Sequence, residues 1–182
     1  MEIKTTLING LLIIQPRVFY DDRGYFLETY NKVVFSKLGL EMVFIQDNQS
    51  MSVKGILRGL HYQNPPFAQG KLLSVIKGSV LYVAVDIRKN SETYGQHFKI
   101  ILSETNKTMF WVTEGFAHGF LSLEDNTIFS YKCTQVYNKE SENAIRWNDT
   151  DLNIDWGIEN PVISDKDNIA PLFKDLNSKF GI

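Results

Sequence analysis

The pattern of hydrophobic and polar positions is that of many short strands. Segments dense in Val, Ile, Phe, Tyr and Thr recur between Gly, Asn, Asp and Pro, the residues that turns require. This pattern predicts strands over Leu72–Ile76, Ser79–Ile87, Phe98–Leu102, Thr108–Val112 and Thr127–Tyr137, with Lys77-Gly78 as a tight turn between the first two. In Ser79–Ile87, Leu81, Val83, Val85 and Ile87 share one face, while Val80, Tyr82 and Ala84 make the other fairly apolar too. A strand covered on both faces suits a sandwich or a closed barrel. Helical periodicity is clear in one short stretch: Asn31 can cap it, Val34, Phe35 and Leu38 recur at helical spacing, and Gly39 can end it.

Composition narrows the class. A chain of 182 residues, 43% hydrophobic and 13% aromatic, can bury a sizeable core and is near the usual size of one domain. Without internal repeats, low-complexity stretches or linkers, a single domain over residues 1–182 is expected. A formal net charge of -2 offers no general attraction for nucleic acid or an anionic membrane, so an anionic ligand needs a local pocket. Cys133 is the only cysteine, which rules out an intrachain disulfide. Met1–Gly10 lacks a secretory signal pattern and the apolar runs are too short to span a bilayer, so a cytoplasmic location is expected.

Two of the three histidines stand in unusual company: His61 within G-I-L-R-G-L-H-Y-Q (55–63) and His118 within G-F-A-H-G-F (115–120). Imidazole serves structure and catalysis equally well, so neither motif decides alone. A metal-binding jelly roll usually places two histidines on one strand face, whereas Gly59 and Gln63 flank His61 at that spacing. No metal site is therefore expected. Cys133 lies mid-strand with no histidine near it in sequence, and reads as a small buried hydrophobe rather than a nucleophile. Gly70-Lys71 is followed by Leu72-Leu73, without the earlier glycine or the Ser/Thr of a P-loop, and no dinucleotide fingerprint occurs.

Eight ordered blocks change the reading: D-D-R-G-Y-F-L-E (21–28), Q-D-N-Q-S (46–50), G-I-L-R-G-L-H-Y-Q (55–63), A-Q-G-K-L (68–72), V-D-I-R (85–88), G-F-A-H-G-F (115–120), I-R-W-N-D (145–149) and I-S-D-K-D (163–167). Along nearly its whole length the chain resembles the dTDP-4-dehydrorhamnose 3,5-epimerase family. The resemblance implies an all-β, cupin-type jelly roll with a few short helices. It further implies a homodimer acting on a dTDP-4-keto-6-deoxy sugar with neither metal nor organic cofactor.

By the same resemblance His61 is the base, Asp167 its orienting partner, Tyr131 the acid on the opposite face, and Lys71 the stabiliser of charge at O4. Asp165 is close enough in sequence to Asp167 to compete for that assignment. Arg58 and His118 match further polar positions of the pocket, and Arg23 resembles a diphosphate-binding arginine. Phe26, Glu28, Gln46, Asn48 and Tyr137 would help hold the nucleotide. Core packing is the competing reading for Tyr131, Phe26 and Tyr137, and a solvated surface for Lys71, Glu28, Gln46 and Asn48.

Strand parity adds two expectations. Tyr131 and Tyr137 would share a face about 20 Å apart at roughly 3.3 Å per residue. Arg58 and His61 have opposite parity, so for both to face substrate the strand must bend or bulge, with Gly59 the obvious place. Tyr82 and Thr113 depart from the family pattern, Tyr82 at a place where relatives often carry aspartate. The sequence leaves open an epimerase that inverts only C3 or only C5, a catalytically silent sugar-nucleotide-binding jelly roll, and a metal-dependent cupin oxygenase.

Overall fold

The computed structural model describes residues 1–181. Its main body is two packed antiparallel sheets. One contains β1 (Glu2–Thr5), β2 (Leu11–Gln15), β10 (Met109–Val112), β7 (Lys71–Lys77), β12 (Thr127–Cys133) and β5 (Gln46–Ser52), in the order β1-β2-β10-β7-β12-β5. The other contains β13 (Glu142–Ala144), β6 (Leu57–Gln63), β11 (Phe116–Ser122), β8 (Ser79–Asp86) and β9 (His97–Ser103), in the order β13-β6-β11-β8-β9. From β5 to β8, and again from β9 to β12, the chain changes sheet at every step. This alternation makes the expected jelly roll. A separate hairpin pairs β3 (Val18–Asp21) with β4 (Gly24–Leu27).

The doubly apolar strand holds as expected: β8 lies between β11 and β9, and seven of its eight residues are buried. Val80, Tyr82 and Ala84 pack between the sheets with Leu73, Phe110 and Phe129. Val83 and Val85 pack outward against Leu57, Leu60, Ile145 and Trp156. The C-terminal third of the chain thus covers the outer face of the second sheet and brings its own polar residues beside β6.

The short helix α1 (Lys32–Lys37) begins where its cap was expected. Asn31 Oδ1 accepts from the backbone N–H of Val33 and Val34, at 3.0 and 3.3 Å. Gly39, at φ 79, lets Leu40 N–H reach back to the Phe35 carbonyl and close the helix.

Lys77-Gly78 makes the expected tight turn, and it passes the chain from one sheet to the other. A Cβ on Gly78 would stand 2.5 Å from Thr127 Oγ1, so the crossing admits no side chain. The strand expected to reach Tyr137 ends at Cys133, where Thr134 N–H turns to the Gly70 carbonyl, so Tyr131 and Tyr137 do not share one strand face.

Candidate active site

A cavity of about 550 Å³ opens between the sheets, and it gathers His61, Asp167, Lys71, Tyr131, Arg58 and His118. His61 and His118 lie directly opposite each other on paired strands β6 and β11. Lys71 and Tyr131 come from the facing sheet, on neighbouring strands β7 and β12, with Lys71 Nζ 5.2 Å from the centre of the Tyr131 ring.

Arg58 and His61 reach the same cavity because β6 bulges where strand parity required it. Phe120 pairs with Arg58 and His118 with His61, so Gly59 and Leu60 stand opposite the single residue Gly119. Gly59 has φ 136, and a Cβ on it would lie 2.5 Å from the Cα of Gly119. Both glycines are needed for the backbones to approach this closely.

Asp167, not Asp165, meets His61: its Oδ1 is 2.6 Å from His61 Nε2, and its Oδ2 accepts from Gly59 N–H at 3.2 Å. Asp167 belongs to α2 (Asp165–Asn168), whose cap Ser164 accepts from Asp167 N–H. That turn is fastened to the start of β6 by Leu57 N–H to the Val162 carbonyl and Val162 N–H to the Gly55 carbonyl. Burial pushes the Asp167 carboxyl up, but the hydrogen bonds from His61 and Gly59 outweigh it and hold the group below its ordinary value. The buried carboxylate therefore stays ionised beside the imidazole.

The other groups are shifted by the same dry surroundings. Burial lowers the Lys71 ammonium to about 8, against smaller opposing effects of Cys133 and Glu142. His118 is pushed well below its ordinary value by burial, then by Lys71 and His61, and is neutral at physiological pH. Burial raises the Tyr131 phenol, so it keeps its proton through the neutral range.

The family model described as dTDP-4-dehydrorhamnose 3,5-epimerase matches residues 5–175. The dTDP-4-dehydrorhamnose 3,5-epimerase of Methanothermobacter thermautotrophicus is 52% identical over 174 residues, covering 93% of each chain. The chain belongs to this family. The crystal structure of the Elizabethkingia anophelis enzyme superposes with a TM-score of 0.92 at 50% identity, covering 97% of this chain and 98% of that one. A dTDP-6-deoxy-D-glucose-3,5-epimerase from Legionella pneumophila, solved in complex with dTDP-4-keto-L-rhamnose, gives 0.90 at 47% identity over 94% and 92% of the two chains.

Against this family background, the residues expected at the nucleotide divide into two groups. Gln46, Asn48 and Tyr137 form a connected cluster beside Tyr131. Asn48 is the cross-strand partner of Tyr131, Gln46 Nε2 donates to Asn48 Oδ1 at 3.1 Å, and Tyr137 N–H donates to Gln46 Oε1 at 2.8 Å. The Tyr137 hydroxyl donates to Glu142 at 3.0 Å, and Glu142 pairs at 2.6 Å with Lys166 of the cavity wall. Arg23, Phe26 and Glu28 lie on or beside the β3–β4 hairpin and line no part of the cavity. Arg23 pairs with Asp21 at 2.6 Å, and Glu28 accepts from Asn31.

Sequence reasoning missed Ser50, Lys166 and the aromatic wall of Phe120 and Phe129. The missing signal was pairing across the gap between sheets, which no local periodicity carries.

Proposed function

We propose that the chain inverts C3 and C5 of a dTDP-4-keto-6-deoxyhexose, converting dTDP-4-dehydro-6-deoxyglucose to dTDP-4-dehydrorhamnose with its own side chains and no metal or organic cofactor. The observation that carries this reading is that His61 and Tyr131 enter one cavity from opposite sheets. A planar enolate held between them can lose a proton from one face and gain one on the other.

The C4 ketone makes the neighbouring C–H groups acidic. With Nε2–H donated to Asp167, Nδ1 of His61 takes the proton, and the C–H electron pair moves into the ring carbon bond as charge develops on O4. Lys71 stabilises that oxygen, more strongly in the cavity than it could in bulk water. Tyr131 then delivers its phenolic proton to the opposite face of the carbon. The imidazolium and phenolate return to their starting forms by exchange with solvent, and the second carbon follows. Proton NMR of the sugar nucleotide in D₂O tests the reading: signals at C3 and C5 should both disappear with the protein present. Exchange at one carbon alone would favour a single-carbon epimerase, and exchange at neither would remove the assignment.

Lys71 makes the rate depend on pH. Its ammonium is present below about 8 and lost above it. Turnover should therefore fall as pH rises through that value, while Lys71→Arg, which keeps its charge, should lack this alkaline limb even if slower. A wild-type profile flat to pH 10 would show that the Lys71 charge does not limit the reaction.

The homodimer supplies the remaining nucleotide contacts in this reading, in a protein acting in the cytoplasm. The β3–β4 hairpin presents Phe19, Tyr20, Tyr25 and Phe26 at 50–70% exposure. Solvent-facing aromatics so closely spaced suit a protein surface. In a second copy's site they would bring Arg23, with its planar fork of donors, to the diphosphate. Arg23→Ala should weaken dTDP binding about tenfold or more by calorimetry, with turnover at saturation little changed. The wild-type mass in solution should be twice 20.9 kDa. A monomer, or a variant with full affinity and depressed turnover, would contradict this placement.

A further inference from the structure

Two hydroxyls in the cavity wall have no hydrogen-bond partner among the described residues: Tyr82 Oη and Ser50 Oγ. Tyr82 is 1% exposed. A buried hydroxyl without a partner costs about 1–3 kcal/mol, so a fold keeps one where something else satisfies it. The Tyr82 ring cannot turn to find a substitute. It lies nearly parallel to the rings of His118 and Phe129, each at 6.0 Å between ring centres, and meets the edge of Phe110 at 5.9 Å.

Both residues line the one cavity, from facing sheets. Ser50 is the direct cross-strand partner of Phe129, whose ring stacks on Tyr82. Around them stand Leu73, Phe120 and Phe129, with His118 beside the Tyr82 ring and Arg58 donating to Ser52, two residues along the strand from Ser50. Burial, reinforced by Tyr131 and Cys133, keeps the Tyr82 phenol protonated, so it can donate as well as accept. The two hydroxyls are neutral, and each can both donate and accept. A ketone would use only their donor capacity, whereas an alcohol engages both the donor and the acceptor side. The pair fits a neutral alcohol.

We propose that Tyr82, assisted by Ser50, binds a ring hydroxyl of the hexose and is a specificity-determining residue of the reaction. This rests on the epimerase reading above. The contact orients the ring within the cavity, and so bears on which carbons reach His61 and Tyr131.

The test compares wild type, Tyr82→Phe and Ser50→Ala on the 4-keto-6-deoxyglucose nucleotide and on its 2-deoxy and 3-deoxy analogues, reading kcat/KM for C5 hydrogen exchange in D₂O. Tyr82→Phe keeps the stacked ring and removes only the hydroxyl. Its kcat/KM on the full substrate should fall about five- to thirty-fold, with a smaller fall for Ser50→Ala. On one of the two analogues, the one lacking the contacted hydroxyl, Tyr82→Phe and wild type should agree within about twofold. Which analogue removes the difference identifies the hydroxyl. An unchanged kcat/KM on the full substrate, or an equal loss on all three substrates, would overturn the proposal and leave the epimerase reading intact. Failure of the wild type to exchange any carbon-bound hydrogen would overturn both.

Discussion

His61→Ala is expected to abolish hydrogen exchange at both C3 and C5. General acid–base groups typically contribute about 10²–10⁴-fold, and loss of the base should reach at least that range, because it removes the step on which both inversions depend. No neighbouring group can substitute. His118 faces His61 across the strand pair, but its ring stacks on Tyr82 and it has no carboxylate partner among the described residues. Lys71 is charged below about 8 and cannot accept a proton in that state. The substitution also leaves Asp167 buried with only backbone and serine partners, so a lower melting temperature is expected alongside the lost activity. Imidazole added in solution, small enough for the space vacated, should restore some exchange. Rapid exchange at both carbons in a folded His61→Ala protein would show that the base is another residue.

The apolar residues on both faces made β8 legible as a covered strand of a sandwich or a closed barrel, and seven of its eight residues are buried. Other strands were harder to read because polar residues or glycines interrupt their apolar pattern. In β5, Gln46–Ser52, polar residues fill nearly every position although burial alternates along it. In β6 and β11 glycines interrupt the apolar pattern where the two backbones press together. These three strands carry Asn48, His61 and His118, so the least strand-like sequences hold much of the site. Parity exposed the conflict between Arg58 and His61, and its solution, a bulge at Gly59, followed from stereochemistry.

The partnership of His61 with Asp167 could not be read from spacing, since 106 residues separate them. Resemblance to the family pointed to the acidic block, and burial separates its two aspartates: Asp167 is enclosed while Asp165 faces solvent. Strand length was overestimated at Tyr137 because Thr134, Gln135 and Val136 continue a plausible strand composition. The chain leaves β12 there because Thr134 turns to Gly70 through its backbone N–H and its hydroxyl, which accepts from Gly70 N–H at 2.8 Å. The β3–β4 hairpin was legible only as a motif: Arg23 and Phe26 belong to a recognisable block, yet neither lines the cavity of its own chain.

Tyr131→Phe should separate exchange from inversion. The substitution keeps the ring, which packs against Phe129 at 5.8 Å between centres and lies under the Lys71 ammonium, so the cavity should hold its shape. It removes only the acidic hydroxyl. His61, still paired with Asp167, can abstract the proton, and Lys71 can still stabilise the enolate. The imidazolium then trades its proton for deuterium and returns it to the face from which the first was taken. Deuterium should therefore enter the sugar while inversion falls by about 10²–10⁴-fold. His61 and Tyr131 arise from different sheets, so loss of one side chain leaves the other in place. NMR in D₂O reads both outcomes in one sample, as loss of a proton signal without the coupling pattern of the inverted sugar. If Tyr131→Phe inverts at the wild-type rate, the proton on that face comes from another donor. If it neither exchanges nor inverts, the phenol is needed to form the enolate as well as to quench it.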